Sequence, residues 1–215
     1  MKKIVHSSRD KRVTELFSHA PTKGERTKFN IIEGAITCIA SLGIEKTTLE
    51  AIASRAGIAK SHVVYHFPDK DDIFLAAIRY VTSVAQQITV ERIKVARNLR
   101  DRVAAILDGA IEWAENYPTH VPVLIQFYQF CTYRSEFRKM HTHIRAAGFD
   151  RIHEALKEEY QLRSPEKLSS LAQSIHSLMI GNILEWVTTN RWKNHLEVRK
   201  ATLQGIDLLL GKPTK

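Results

Sequence analysis

Apolar residues recur at intervals of three and four along nearly the whole 215-residue chain, and the strict alternation of a half-buried strand is almost absent. β-branched residues are scattered, and no Asn-Gly or Asp-Gly turn joins two alternating runs as a hairpin would require. The chain is therefore expected to be all-α. After a polar opening and a break at Ala20-Pro21-Thr22-Lys23-Gly24, the spacing of Phe29, Ile32, Ala35, Ile36 and Ile39 predicts a helix over about 25–41, stopped by Gly43. Two short helices follow. Longer ones are expected over about 68–97, 101–116, 119–132, 135–160, 165–190 and 196–210. Gly148 is a candidate kink, and Ser164-Pro165 reads as a cap followed by a first-turn proline.

Charge narrows the partners. The formal net charge is +9, and the first 30 residues hold eight Lys/Arg against three Asp/Glu. A basic arm over 1–24 suits phosphate contacts, and a solvated tail is the plain alternative. Cys38 and Cys131 form no CxxC pair and sit in apolar helical patterns. Buried free thiols in a reducing cytoplasm are the expectation. No apolar run approaches 18 residues, so no membrane span is expected.

Residues 43–70 carry the most specific pattern. Thr47 followed by Glu50 matches a capping box, with Thr48 as the competing cap. Leu49, Ile52, Ala53 and Ala56 form the inner face of a first short helix, which Gly57 ends because a tight turn needs positive φ. Ile58 plugs the core beneath the turn. A second helix spans about 60–67, with Val63 and Phe67 facing inward. Two helices joined by a short Gly-containing turn are the helix-turn-helix signature. The outward face then shows Lys60, Ser61, His62, Tyr65 and His66, all hydrogen-bonding side chains on an element narrow enough for the major groove. Thr47 and Thr48 lie at a helix N-terminus that favours a phosphate, and Lys70 adds a further cation. A surface hairpin with a polar face is the plain alternative.

The stretch "TTLEAIASRAGIAKSHVVYHFPDKDDIF" resembles the DNA-binding region of the TetR family, in its paired threonines, its Ala-Gly turn and its Tyr-His-Phe-Pro-x-Lys run. The resemblance covers about residues 25–75. It implies that Thr47 and Thr48 meet the DNA backbone, that Lys60, Ser61, His62, Tyr65 and His66 face the groove or its phosphates, and that Lys70 anchors a phosphate. Three positions depart from the family pattern. Ala59 stands where a capping Ser is common, Val64 where an aromatic is common, and His62 is bulkier than usual.

The architecture expected is a three-helix DNA-binding domain over 25–70 and a larger helical domain over 71–215 for effector binding and dimerisation. Residues 165–190 are apolar on two sides. Leu171, Ile175, Leu178, Met179, Asn182 and Trp186 form one stripe, and Ile180, Leu184 and Val187 the other. In the last helix, Leu196, Leu203, Ile206 and Leu210 line one side, and Val198 and Leu209 another. The resemblance implies that these two helices build a four-helix bundle with a second copy, so Ile180, Leu184, Val187, Val198 and Leu209 are the candidate dimer interface. Candidate effector contacts are Trp113, Phe127, Phe130, Met140, Ile144, His176, Met179 and Asn182, each of which ordinary core packing would also explain.

An enzyme is not expected. His141 and His143 are two apart and point to different sides of a helix, so they are not a zinc pair, and no P-loop, GxSxG or paired-acid motif occurs. No cofactor or metal is implied. The reading is a homodimeric DNA-binding regulator, a repressor released from a palindromic operator by a small molecule. An effector-independent regulator or activator of the same fold, and a protein scaffold, are the alternatives.

Overall fold

The computed structural model describes residues 22–160, 164–189 and 191–211. The expected basic arm lies almost wholly outside these residues. Among the described residues the chain is helical without strands: α1 (Lys23–Leu42), α2 (Leu49–Ala56), α3 (Lys60–His66), α4 (Lys70–Ile93), α5 (Leu99–Asn116), α6 (His120–Cys131), α7 (Ser135–Glu159), α8 (Pro165–Thr188) and α9 (His195–Leu209).

Local chemistry sets most boundaries. Helix α1 starts two residues before the expected Glu25, because Thr22 and Glu25 close a reciprocal capping box. The Thr22 hydroxyl accepts from the Glu25 N–H at 3.2 Å, and the Glu25 carboxylate accepts from the Thr22 N–H at 2.7 Å. Asn98, Ser164 and Asn194 cap α5, α8 and α9, their side-chain oxygens accepting from first-turn N–H groups. Helix α7 is continuous through Gly148, over nearly the expected span.

The chain divides into two compact units, Met1–Tyr80 and Val81–Lys215. The division falls ten residues beyond the expected 70/71 boundary, since the first turns of α4 belong with the N-terminal helices. In that first unit α1 packs on α2 and α2 on α3. Its core holds Phe29, Ile31, Ile36, Ile52, Val63, Ile73, Phe74 and Ile78, with Tyr80 edge-on to Phe29 at 5.4 Å. Helix α4 averages a hydropathy of 1.3 over 18 residues, enough by length and composition for a membrane span. The stretch is interrupted by polar residues, so it does not stand out as an unbroken apolar run. Its apolar residues Ile73, Phe74, Ile78, Val81 and Val84 are nonetheless buried by protein.

In the second unit α6 packs on α7, α7 on α8, and α8 on α9, with α5 against α7, α8 and α9. Leu107, Ile152, Leu156, Ile175 and Ile206 are at the centre of its core. Two forked ion pairs tie α5 to α9 in antiparallel register: Arg100 to Asp207 at 3.1 and 2.8 Å, and Arg199 to Asp108 at 2.5 and 3.0 Å. Cys38 and Cys131 are free and buried, and burial raises both thiol pKa values, as expected for inert thiols.

Val198 corrects the expected interface. It is fully buried and packs in its own subunit's core beside Leu203 and Ile206, whereas Leu196 is 62% exposed. At 100° per residue these two positions lie on opposite flanks of the inner face of α9, and the neighbouring helices cover the Val198 flank.

Candidate nucleic-acid interface

The turn between α2 and α3 is built by backbone geometry. Gly57 has φ 72° and ψ 33°, a left-handed conformation that costs a residue with Cβ about 1–2 kcal/mol. Its N–H reaches the Ala53 and Ser54 carbonyls, and the Ile58 N–H follows to Ala53 at 3.1 Å. The chain thereby reverses within three residues. Helix α3 starts at Lys60 behind Ala59, whose methyl supplies no cap. What holds α3 in place is its inner side: Val63 is fully buried and Phe67, just past the helix end, is 9% exposed.

The other side of α3 is open. Lys60, Ser61, His62, Val64 and Tyr65 are exposed, Tyr65 to 83%, and His66 is half-buried. Burial, then the charges of Lys28 and His62, lower the His66 pKa and favour neutral imidazole. Five of the expected reading residues thus share one face of a seven-residue helix. Val64 joins them as an exposed apolar side chain, a fit for a thymine methyl.

The flanking residues behave differently. Thr48 is the cap of α2, its hydroxyl accepting from the Ala51 N–H at 3.1 Å. Thr47 is 1% exposed, and its hydroxyl donates to the Gly43 carbonyl at 2.8 Å. The expected phosphate contact from its side chain is therefore corrected: the group is enclosed and already bonded. Lys70 donates to the Ile44 carbonyl at 2.9 Å, which ties the start of α4 to the turn before α2. It braces the motif from behind, keeping two ammonium protons for other acceptors. Sequence reasoning gave Glu50 only a place in a capping box and missed its pairing: its carboxylate holds Lys60 at 2.5 Å across the α2–α3 turn. That bond and the Lys60 charge lower the Glu50 pKa. A pairing ten residues apart has no local signal.

The candidate effector residues are engaged in separate contacts. The Trp113 indole N–H donates to His120 Nδ1 at 3.3 Å. Phe127 and Phe130 pack on Phe137, and Met179 is in the core cluster. The Asn182 amide donates to Thr202 at 2.9 Å. Met140 and Ile144 are half-buried on α7, and His176 is buried on α8.

Residues 31–77 match the family model for bacterial regulatory proteins of the tetR family. The chain therefore carries a tetR-family regulatory domain over these residues. It is 23% identical over 154 residues to the HTH-type transcriptional regulator BetI of Stenotrophomonas maltophilia, covering 71% of this chain and 76% of that protein. Other curated relatives align over 26% to 55% of their own length. A transcriptional regulator from Saccharomonospora viridis, solved in complex with choline, superposes with a TM-score of 0.74 at 20% identity, over 84% of this chain and 95% of that one. A TetR-family regulator from Rhodococcus sp. gives 0.72 at 21% identity, over 86% and 98%. Both share the fold: an N-terminal helix-turn-helix followed by a helical C-terminal region. The regulator is thus a DNA-binding protein of transcription.

Proposed function

We propose that the regulator is a cytoplasmic repressor that binds a palindromic operator as a homodimer and is released by a small-molecule effector. The observation that carries the DNA-reading assignment is the α3 face itself: Ser61, His62, Val64 and Tyr65 stand exposed on a helix clamped from behind by Val63 and Phe67. A helix of seven residues reaches only a few base pairs. Two copies about 34–36 Å apart double the contact on one side of the duplex. Thr48 and Lys60 are the phosphate contacts this reading keeps. Lys70 and His66 support the motif.

For the partner copy the reading uses α8 and α9. Ile180, Leu184 and Val187 are half-buried, Gly181 next to them is exposed with open space before it, and Leu208 and Leu209 are 66% and 41% exposed. The effector belongs to the second unit, and the choline held by the S. viridis relative supports small-molecule binding by this fold. The enclosure of Trp113, Phe127 and Met179 favours the effector-independent alternative at those positions. Selection from a randomised duplex library tests the whole reading. The enriched sequence is expected to be an inverted repeat. Tyr65→Ala and Lys60→Ala are expected to weaken its binding in gel shifts while leaving the unfolding midpoint unchanged. Normal binding by both variants would remove α3 as the reading element.

A further inference from the structure

Three positions on α7, His141, Arg145 and Gly148, are spaced i, i+4 and i+7 and form one stripe about 10 Å long. The stripe is polar at both ends. At one end the His141 ring stands edge-on to Tyr128 and Phe127 of α6, with centroids at 5.0 and 5.9 Å. At the other end Gly148 presents bare backbone to His176 of α8. A Cβ there would lie 2.6 Å from His176 Nε2 and 3.0 Å from Cε1, so only glycine lets that ring lie so close to the helix.

Two ring nitrogens at this stripe, His141 Nε2 and His176 Nδ1, are buried without a hydrogen-bond partner. His176 is 8% exposed. Buried polar groups are satisfied in the great majority of cases, so two orphans along one stripe point to a missing occupant. Arg145 stands between them. It is half-buried and has no ion-pair partner among the described residues. Elsewhere in this unit Arg92, Arg100, Arg102, Arg134, Arg191 and Arg199 each sit on a carboxylate. The Arg145 charge acts on Tyr128, His141 and His176 alike, and both imidazoles are held towards neutral, chiefly by burial and then by that charge. A neutral imidazole offers one N–H, the Tyr128 phenol one O–H, and the guanidinium a planar fork. The cluster is rich in donors, carries a positive charge and includes no acid.

We infer that Arg145, His141, His176 and Tyr128 form the binding site for the carboxylate of an organic acid. The carboxylate takes the Arg145 fork and uses its remaining lone pairs on the orphan imidazoles. This rests on the reading that the second unit accepts an effector, and it specifies the charge of that effector. A quaternary ammonium would face an unscreened guanidinium.

Titration calorimetry on the full chain tests the site with benzoate, phenylacetate and hexanoate. Benzamide, hexanamide and tetramethylammonium serve as the neutral and cationic counterparts. At least one carboxylate is expected to bind, with its amide about tenfold weaker or more, since charge-assisted bonds to Arg are the strong ones. Arg145→Gln should lose that carboxylate at least tenfold, Arg145→Lys should retain part of the affinity, and both should melt like the parent chain. Equal binding of acid and amide, indifference to Arg145→Gln, or no binding of any carboxylate at millimolar concentration would overturn the site. Release from the selected operator is measured separately. Arg145-dependent carboxylate binding that leaves the DNA complex intact upholds the site and overturns the release mechanism. Release by a neutral compound with no carboxylate binding does the reverse.

Discussion

Lys60 meets two competing claims on its charge. In the free protein Glu50 holds it at 2.5 Å, while the proposed complex needs it on a phosphate. An exposed pair of this kind contributes little to stability. Glu50→Gln is therefore expected to leave unfolding unchanged, tighten operator binding, and steepen the slope of log K against log salt by about one unit, the value of one added phosphate contact. Unchanged affinity and slope would show that Lys60 never reaches the DNA. At His176 the consequence is for stability. Its folded pKa is lowered to about 4 from 6.5, first by burial and then by Arg145, and His141 is shifted the same way. As pH falls below 6.5 the unfolded chain takes the proton first, so stability declines between pH 6.5 and about 4, by at most about 1.4 kcal/mol per pH unit for each group. Above pH 6.5 both states are neutral and the effect vanishes. Urea midpoints at pH 7.5 and 5 should show the decline, and His176→Phe should reduce it.

At the scale of helices, α4 and α5 approach so closely that a Cβ on Gly109 would lie 2.8 Å from the Thr89 Cα, a backbone atom. In an isolated helix Ala is favoured over Gly by about 1 kcal/mol. Here the overlap reverses the sign. Gly109→Ala is expected to destabilise by about 1–3 kcal/mol, as overpacked contacts do, read as a lower urea midpoint. A gain in stability would mean that α4 and α5 can separate freely. The helices themselves were largely legible. Ser164-Pro165 capped α8 as read, and Gly43 and Gly57 ended α1 and α2 with φ of 77° and 72°. The start of α1 was misread because the box from Thr22 to Glu25 sits behind a Pro-Gly break that looks like loop. By sequence Thr47 matches a capping box with Glu50 and Thr48 competes with it, and Thr48 is the cap. The turn from Gly43 chose between them, drawing Thr47 inward onto its carbonyl.

For the whole molecule the proposed reading requires two copies. Ile180→Arg with Leu184→Arg places charge on the half-buried outer stripe of α8, away from the buried Ile175 and Met179. The double variant is expected to be monomeric by light scattering, to keep its helical content, and to lose most operator affinity. An intact dimer would reject this face. Substitution at Val198, by contrast, would damage the core rather than the interface, since that side chain is fully buried.

Period, caps and turn glycines are local physics, and from them the chain alone determined an all-helical protein with a helix-turn-helix ending at Tyr65-His66-Phe67. Which of two symmetric flanks is covered, as at Leu196 and Val198, depends on neighbours about a hundred residues away. The same holds for Lys70, which the local pattern offers to a phosphate and the Ile44 carbonyl claims from 26 positions upstream. The orphan imidazoles beside Arg145 belong to this second kind. Only packing α6, α7 and α8 together removed water from those nitrogens without supplying a partner.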